Sequence, residues 1–141
     1  MKIIIVDDNK TFRDCLKYFL QKNLKHHVIN EANNGVEFLK LENIYNADII
    51  LMDLQMPELN GIISTERVLW EMSHLKIIAI TMFKDQAYLE ELVSVGFKGC
   101  IFKNQIYEQL PVALEIVQMN KLYFPEHRLM LMQKHKYNNA H

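Results

Sequence analysis

Residues 49–57, IILMDLQMP, close an apolar run on a single carboxylate, Asp53, and reach a proline four residues later. A run this apolar reads as a strand covered on both faces. Burial disfavours an ionised carboxylate, so a strand that ends in aspartate needs a cation or a hydrogen-bond network beside it. The rest of the chain has to supply that compensation.

The same pattern recurs on either side. Ile3 to Val6 is a short β-branched run ending in acid, followed by Lys10 to Asn23, where Phe12, Leu16, Phe19 and Leu20 fall at helical spacing with Thr11 near the start. Val28 to Ala32 gives a weaker strand, Asn33-Asn34-Gly35 a turn, and Val36 to Leu41 a short helix. Asp48 to Leu54 is the third strand, Ile62 to Met72 a helix, Lys76 to Thr81 a strand, and Asp85 to Val95 a helix that stops at Gly96. Gly99 to Lys103 and Ile106 to Asn120 complete the series, with Pro111 expected within about the first turn of the last helix. Strands alternating with helices predict an α/β fold, a doubly wound parallel sheet of five βα units covered on both faces, and its flavodoxin-like form has the strand order 2-1-3-4-5.

Such sheets bind ligands beyond the carboxyl ends of their strands. There the first strand ends in Asp7-Asp8-Asn9, the third in Asp53, the fourth in Thr81 and the fifth in Lys103. With that strand order the four strands are consecutive neighbours, and Asp7, Asp8, Asp53, Thr81 and Lys103 face one crevice. Any one of these residues alone is read more simply as a helix cap or turn former. Their joint placement at four strand ends carries the functional reading. Three carboxylates so close together must hold a proton or share a cation, and an all-oxygen site without histidine or cysteine suits Mg²⁺. Lys103 offers a point positive charge and Thr81 a hydroxyl, which fit the oxygens of a phosphoryl group. A positioned carboxylate attacks phosphorus directly, so the implied chemistry is an aspartyl phosphate.

The 141 residues suit one domain with a core of its own, and 50% apolar with 23% charged residues is globular usage. A formal net charge of -1 gives no field that points to nucleic acid or membrane. Cys15 and Cys100 lack metal-type spacing and are expected as reduced, buried thiols. The apolar start is too short for a signal sequence and no run has the length of a membrane span, so a cytoplasmic protein is expected. His26, His27, His74, His127, His135 and His141 are expected at the surface.

The segments IIIVDDN, MDLQMPELNG, IAITMF and GCIFKN resemble the receiver domain of bacterial two-component response regulators over residues 2 to about 123. The resemblance implies that Asp53 accepts a phosphoryl group from a sensor histidine kinase or phosphotransfer protein. It also implies that Asp7, Asp8 and Asp53, with the main-chain carbonyl of Gln55, hold Mg²⁺. Thr81 is then the switch hydroxyl and Lys103 the pairing cation, while Gly61 is expected to supply backbone angles that other residues avoid. Such a domain catalyses only its own phosphorylation and dephosphorylation.

The family pattern is not followed everywhere. Cys100 stands where many receivers carry a switch aromatic, and Asn104 where many carry a cis proline. Gln55 and Phe83 occupy the positions that tune hydrolysis, and the bulk of Phe83 predicts slow dephosphorylation. The stretches TMFKDQAYLEELVSVGFKGCIFKN and LYFPE resemble receivers of the NarL/FixJ type, whose next domain binds DNA. Residues 1–123 are therefore expected as the receiver and 124–141 as a linker or short extra helix, with no output domain and no direct nucleic-acid binding. The sequence leaves open whether the chain is a stand-alone receiver or the front of a longer regulator. Tyr88, Leu89, Leu92, Phe97 and Tyr107 are candidates for a homodimer face formed by the fourth helix, fifth strand and fifth helix, although residues at such helical spacing are more often simply core. The alternatives are a receiver-like binding module that is never phosphorylated and a phosphatase of the haloacid dehalogenase type.

Overall fold

The apolar runs do form strands, and the computed structural model, which describes residues 1–82 and 86–125, orders them as one parallel sheet, β2-β1-β3-β4-β5. The strands are β1 (Lys2–Val6), β2 (His27–Ala32), β3 (Ile49–Asp53), β4 (Ile77–Thr81) and β5 (Gly99–Phe102). Between them run α1 (Lys10–Tyr18), α2 (Gly35–Leu39), α3 (Gly61–Glu71), α4 (Gln86–Val95) and α5 (Ile106–Gln118).

Both faces of the sheet are covered, which is why its central strands carry no polar alternation. On one face Ile3 and Ile5 of β1, Ile49 and Leu51 of β3, and Ile78 and Ile80 of β4 pack with Leu16, Leu20, Leu110 and Leu114 from the α1 and α5 side. The intervening residues Ile4, Val6, Ile50, Met52, Ile77 and Ala79 pack on the other face with Phe38, Val68, Leu89 and Leu92. Burying a leucine or isoleucine side chain contributes about 1.5–3 kcal/mol, so this two-sided core fixes the register of every strand.

Local chemistry sets the element ends. Asn9, Asn34 and Asn60 cap α1, α2 and α3, each side-chain carbonyl accepting an N–H of the first turn. The expected helix from Lys10 to Asn23 is α-helical only to Tyr18, and Phe19–Asn23 form a π-helical turn that Lys25 ends in the left-handed region at φ 60°. Pro111 lies beyond the first turn, inside α5, where it withholds an N–H from the preceding turn. Residues Lys103–Gln105 make a single 3₁₀ turn from β5 into α5, a connection that needs no cis peptide at Asn104.

Several expectations about exposure change. Leu89, Leu92 and Phe97 are buried in the core rather than displayed on an outer face, and Tyr107 packs edge-on against Phe19 of the π-helical turn with ring centroids 5.0 Å apart. Tyr88 is half-buried against the same core. Cys100 is buried as expected, but Cys15 lies on the outer face of α1 and is exposed. His27 and His74 are exposed, whereas His26 is half-buried with Nδ1 2.9 Å from the Met1 amino group. His127, His135 and His141, like Phe83 and the tail 126–141, lie outside the described residues.

After α5 the chain returns along the open edge of β5. Tyr123 bridges Gly99 in parallel, and the Cys100 N–H donates to its carbonyl at 2.8 Å. Phe124 is buried in the core on the α4 side. Among the described residues no helix is long and apolar enough to cross a membrane.

Candidate functional site

Strand register alone brings the acidic and basic residues together. Val6 lies opposite Met52 and Asp53 opposite Ile80, so Asp7 follows beside Asp53. Thr81 lies opposite Phe102, and Lys103 comes one residue later. Each residue is thus the last of its strand or the first beyond it, at one edge of the sheet. Asp7, Asp53 and Thr81 are nearly fully buried, while Asp8 is exposed at the mouth.

Lys103 joins the acids. Its Nζ stands 2.8 Å from Asp7 Oδ2 and 3.6 Å from Asp53 Oδ2. Asp7 Oδ1 accepts the Asn9 N–H at 2.8 Å, and Asp53 Oδ1 accepts the Gln55 N–H at 3.3 Å. Phe12 of α1 places its ring 4.7 Å from Lys103 Nζ, a cation–π contact that covers one side of the ammonium. In sequence Phe12 reads as an ordinary core position of a helix, and no local signal marks it as a neighbour of Lys103.

Burial, the nearby Asp7 carboxylate and Asp8 raise Asp53, against the pull of Lys103 and the Gln55 N–H, and its carboxyl is pushed up to about 6. For Lys103 burial opposes the charged form, but the Asp7 and Asp53 carboxylates outweigh it and hold the ammonium above its usual range. Among the described residues the site is therefore an excess of acid around one lysine.

One oxygen each from Asp7, Asp8 and Asp53 lie within 4.8 Å of one another. Oxygens around a single Mg²⁺ at about 2.1 Å stand roughly 3–4 Å apart, so the cluster needs only a small contraction or intervening waters to hold such an ion. No hydrogen bond is aligned on the buried Asp7 Oδ2, which among the described residues is met by the Lys103 ammonium. That oxygen has the coordinating capacity a hard cation uses, and the all-oxygen donor set fits.

The loop after Asp53 packs against the strand it leaves. Gly61 N–H donates to Leu54 O at 3.2 Å, and a Cβ on Gly61 would fall 2.1 Å from the Asp53 carbonyl oxygen. Gly61 is thus required for space rather than for unusual backbone angles, and the left-handed residue of this loop is Glu58, at φ 68°. Cys100 adds no aromatic to the site; it is buried in the core with Leu89, Leu92 and Phe97. Gln55 is exposed.

Comparisons with known proteins agree with this architecture. The oxygen regulatory protein NreC of Staphylococcus aureus is 36% identical over 124 residues, covering 87% of this chain and 57% of NreC. The chain spans about half the length of the curated relatives it matches. The isolated REC domain of RcsB from Salmonella enterica serovar Typhimurium, solved in the presence of phosphomimetic BeF₃⁻, superposes with a TM-score of 0.79 at 25% identity, over 93% of this chain and 97% of that one. A LuxR-family two-component response regulator from Aurantimonas shares the fold, with a TM-score of 0.85 at 21% identity, over 96% of this chain and 97% of that one. A family model described as the response regulator receiver domain matches residues 3–115, and the chain belongs to that family.

Proposed function

We propose that this receiver accepts a phosphoryl group on Asp53, with Asp7, Asp8, Asp53 and the Gln55 carbonyl as the residues that hold Mg²⁺. The observation that carries the reading is the bridge of Lys103 across Asp7 and Asp53 within the acidic cluster. A lysine at this point supplies positive charge where a transferred phosphoryl group would place its oxygens.

In the reaction an Asp53 carboxylate oxygen forms a bond to phosphorus while the bond from phosphorus to the donor breaks. The donor nitrogen of a phosphohistidine, or the acetate of acetyl phosphate, leaves with the bonding electrons. Lys103 then moves its contact from the acids to a phosphoryl oxygen, and the Thr81 hydroxyl donates to another. Bound Mg²⁺ supplies further charge neutralisation to the transferring group. Attack by water on phosphorus later returns the carboxylate and inorganic phosphate. The catalysis is confined to this one group.

The partners that fit are a sensor histidine kinase or phosphotransfer protein in the cytoplasm and, downstream, a partner protein or a DNA-binding output domain. A homodimer through α4, β5 and α5 belongs to the same proposal. A constitutive binding module is the second reading, and the observation that favours it is Cys100 at the position of the switch aromatic.

One experiment separates the two. The purified protein is incubated with Mg²⁺ and acetyl phosphate and its intact mass measured, alongside Asp53→Ala and a metal-free control. Gain of one phosphoryl group that needs both Asp53 and Mg²⁺ supports the phosphoacceptor. Absence of any gain moves the binding module to the front.

A further inference from the structure

Arg13 is a buried cation on α1 whose side chain is only 9% exposed and which the chemistry above does not use. Its Nη1 donates to the main-chain carbonyl of Asp7, and its Nε meets Glu31 Oε1 at 3.4 Å. The other Glu31 oxygen takes Lys17 Nζ at 3.2 Å. The side chain thus ties α1 to the end of β1 and to the edge strand β2.

Glu31 reaches Arg13 because of an irregularity in the sheet. Ile3 pairs with Val28, but Ile4 pairs with Asn30, so Ile29 is passed over. Ile29 packs toward the α2 side, and Asn30 also bonds there, to Asn43. Two successive residues on one side reverse the alternation, and Glu31 emerges on the α1 side. A regular strand would direct Glu31 away from Arg13. The bulge therefore builds the ion pair.

We propose that Arg13, anchored by Glu31, is a positioning residue that fixes the Asp7-Asp8 segment for cation binding. The inference rests on the reading of Asp7 and Asp8 as cation ligands. Asp7 has its N–H on Ala32 O at 3.1 Å, its carbonyl on Arg13, and its Oδ1 on the Asn9 N–H. With these three contacts held, its Oδ2, paired with the Lys103 ammonium, is directed into the cluster. Charge alone predicts the opposite effect, because a guanidinium beside the acids repels a second cation. The sign of the change on removing Arg13 distinguishes positioning from electrostatics.

The test titrates Mg²⁺ by calorimetry into wild type, Arg13→Met, Arg13→Lys and Glu31→Gln, with folding checked by circular dichroism. Amide exchange at Asn9 is followed in the metal-free proteins. Arg13→Met is expected to bind Mg²⁺ about tenfold more weakly, the usual scale for a group that orients a ligand. Its Asn9 amide exchanges faster, and its labelling rate by acetyl phosphate at saturating Mg²⁺ falls far less than its affinity. Arg13→Lys recovers part of the affinity, and Glu31→Gln loses about threefold. Equal or tighter binding by Arg13→Met overturns the proposal. If that variant does not fold, unchanged affinity in Arg13→Lys and Glu31→Gln overturns it instead. Wild type that binds Mg²⁺ but is never phosphorylated defeats the phosphoacceptor reading while leaving this one standing, and wild type that binds no Mg²⁺ defeats both.

Discussion

Lys103 sits closer to Asp7 than to Asp53, at 2.8 Å against 3.6 Å, so its ammonium leans on the acid beside the proposed phosphoacceptor rather than on Asp53 itself. In that place it occupies part of the space and the charge that a divalent cation would use. Replacement by a neutral side chain of similar length should therefore act in two directions. Lys103→Met is expected to bind Mg²⁺ about three- to tenfold more tightly, because a competing positive charge is gone. It is expected to be phosphorylated by acetyl phosphate at least about tenfold more slowly, because charge at the transferring group is lost. Calorimetry and time-resolved intact mass give the two quantities, and parallel loss of both would count against the assigned role.

Asp53 carries a stability cost that depends on pH. Its carboxyl is raised to about 6 by burial and by Asp7, so between the ordinary carboxylate value and 6 the folded state binds more protons than the unfolded one. Stability at this group therefore falls as pH rises through that window and stays low above it. Asp53→Asn removes the buried charge and is expected to stabilise the metal-free protein at pH 7 by on the order of 2–3 kcal/mol, with the difference vanishing below about pH 4. Urea unfolding across pH 3.5–8 checks this. Saturating Mg²⁺ should narrow the gap by stabilising the wild type.

The legible part of this molecule is the part where burial and chemistry act within a few residues. IIIVDD, IILMD and IAIT read as interior strands because both faces are covered, and their terminal acids and hydroxyl stand out against an apolar background. Long-range choices were not legible. Arg13 and Glu31 meet only because β2 skips one residue against β1, and nothing around Ile29 announces a bulge. Phe12 reads as a core position, although its ring lies beside Lys103. Leu89, Leu92 and Phe97 have the spacing of either a buried or a displayed face, and packing against Cys100 and the sheet decides for burial. Cys15 is exposed because it falls on the outer side of α1, away from Leu16 and Leu20, which point inward. Gly61 looked like a backbone-angle glycine, and only the approach of Asp53 O shows it to be a spacer.

That spacer role makes a sharp prediction. An added Cβ at Gly61 would stand 2.1 Å from Asp53 O and 2.9 Å from Met52 Cγ, and the first of these is backbone of the central strand. Relief of the closer contact has to move the Asp53 backbone or Gly61 itself. Gly61→Ala is expected to destabilise the protein by about 3 kcal/mol, at the upper end for overpacking, and to weaken Mg²⁺ binding as well. A loss of stability with unchanged Mg²⁺ affinity would show that α3 shifts instead and leaves Asp53 in place.

Cys100 tests whether the space for a switch aromatic survives in this chain. Its side chain, on β5, is fully buried in the core cluster that also holds Leu89, Leu92 and Phe97. Phe97 already contributes a buried ring to that cluster, three residues before. Cys100→Tyr must therefore find room for a ring and a hydroxyl in a packed region, which is expected to cost about 1–3 kcal/mol in urea unfolding. Cys100→Ala removes only a sulfur and is expected to cost about 1 kcal/mol. Were Cys100→Tyr to unfold at the same denaturant concentration as wild type, the ring would have found room without strain. The packing around Cys100 would then not be what excludes an aromatic from this position.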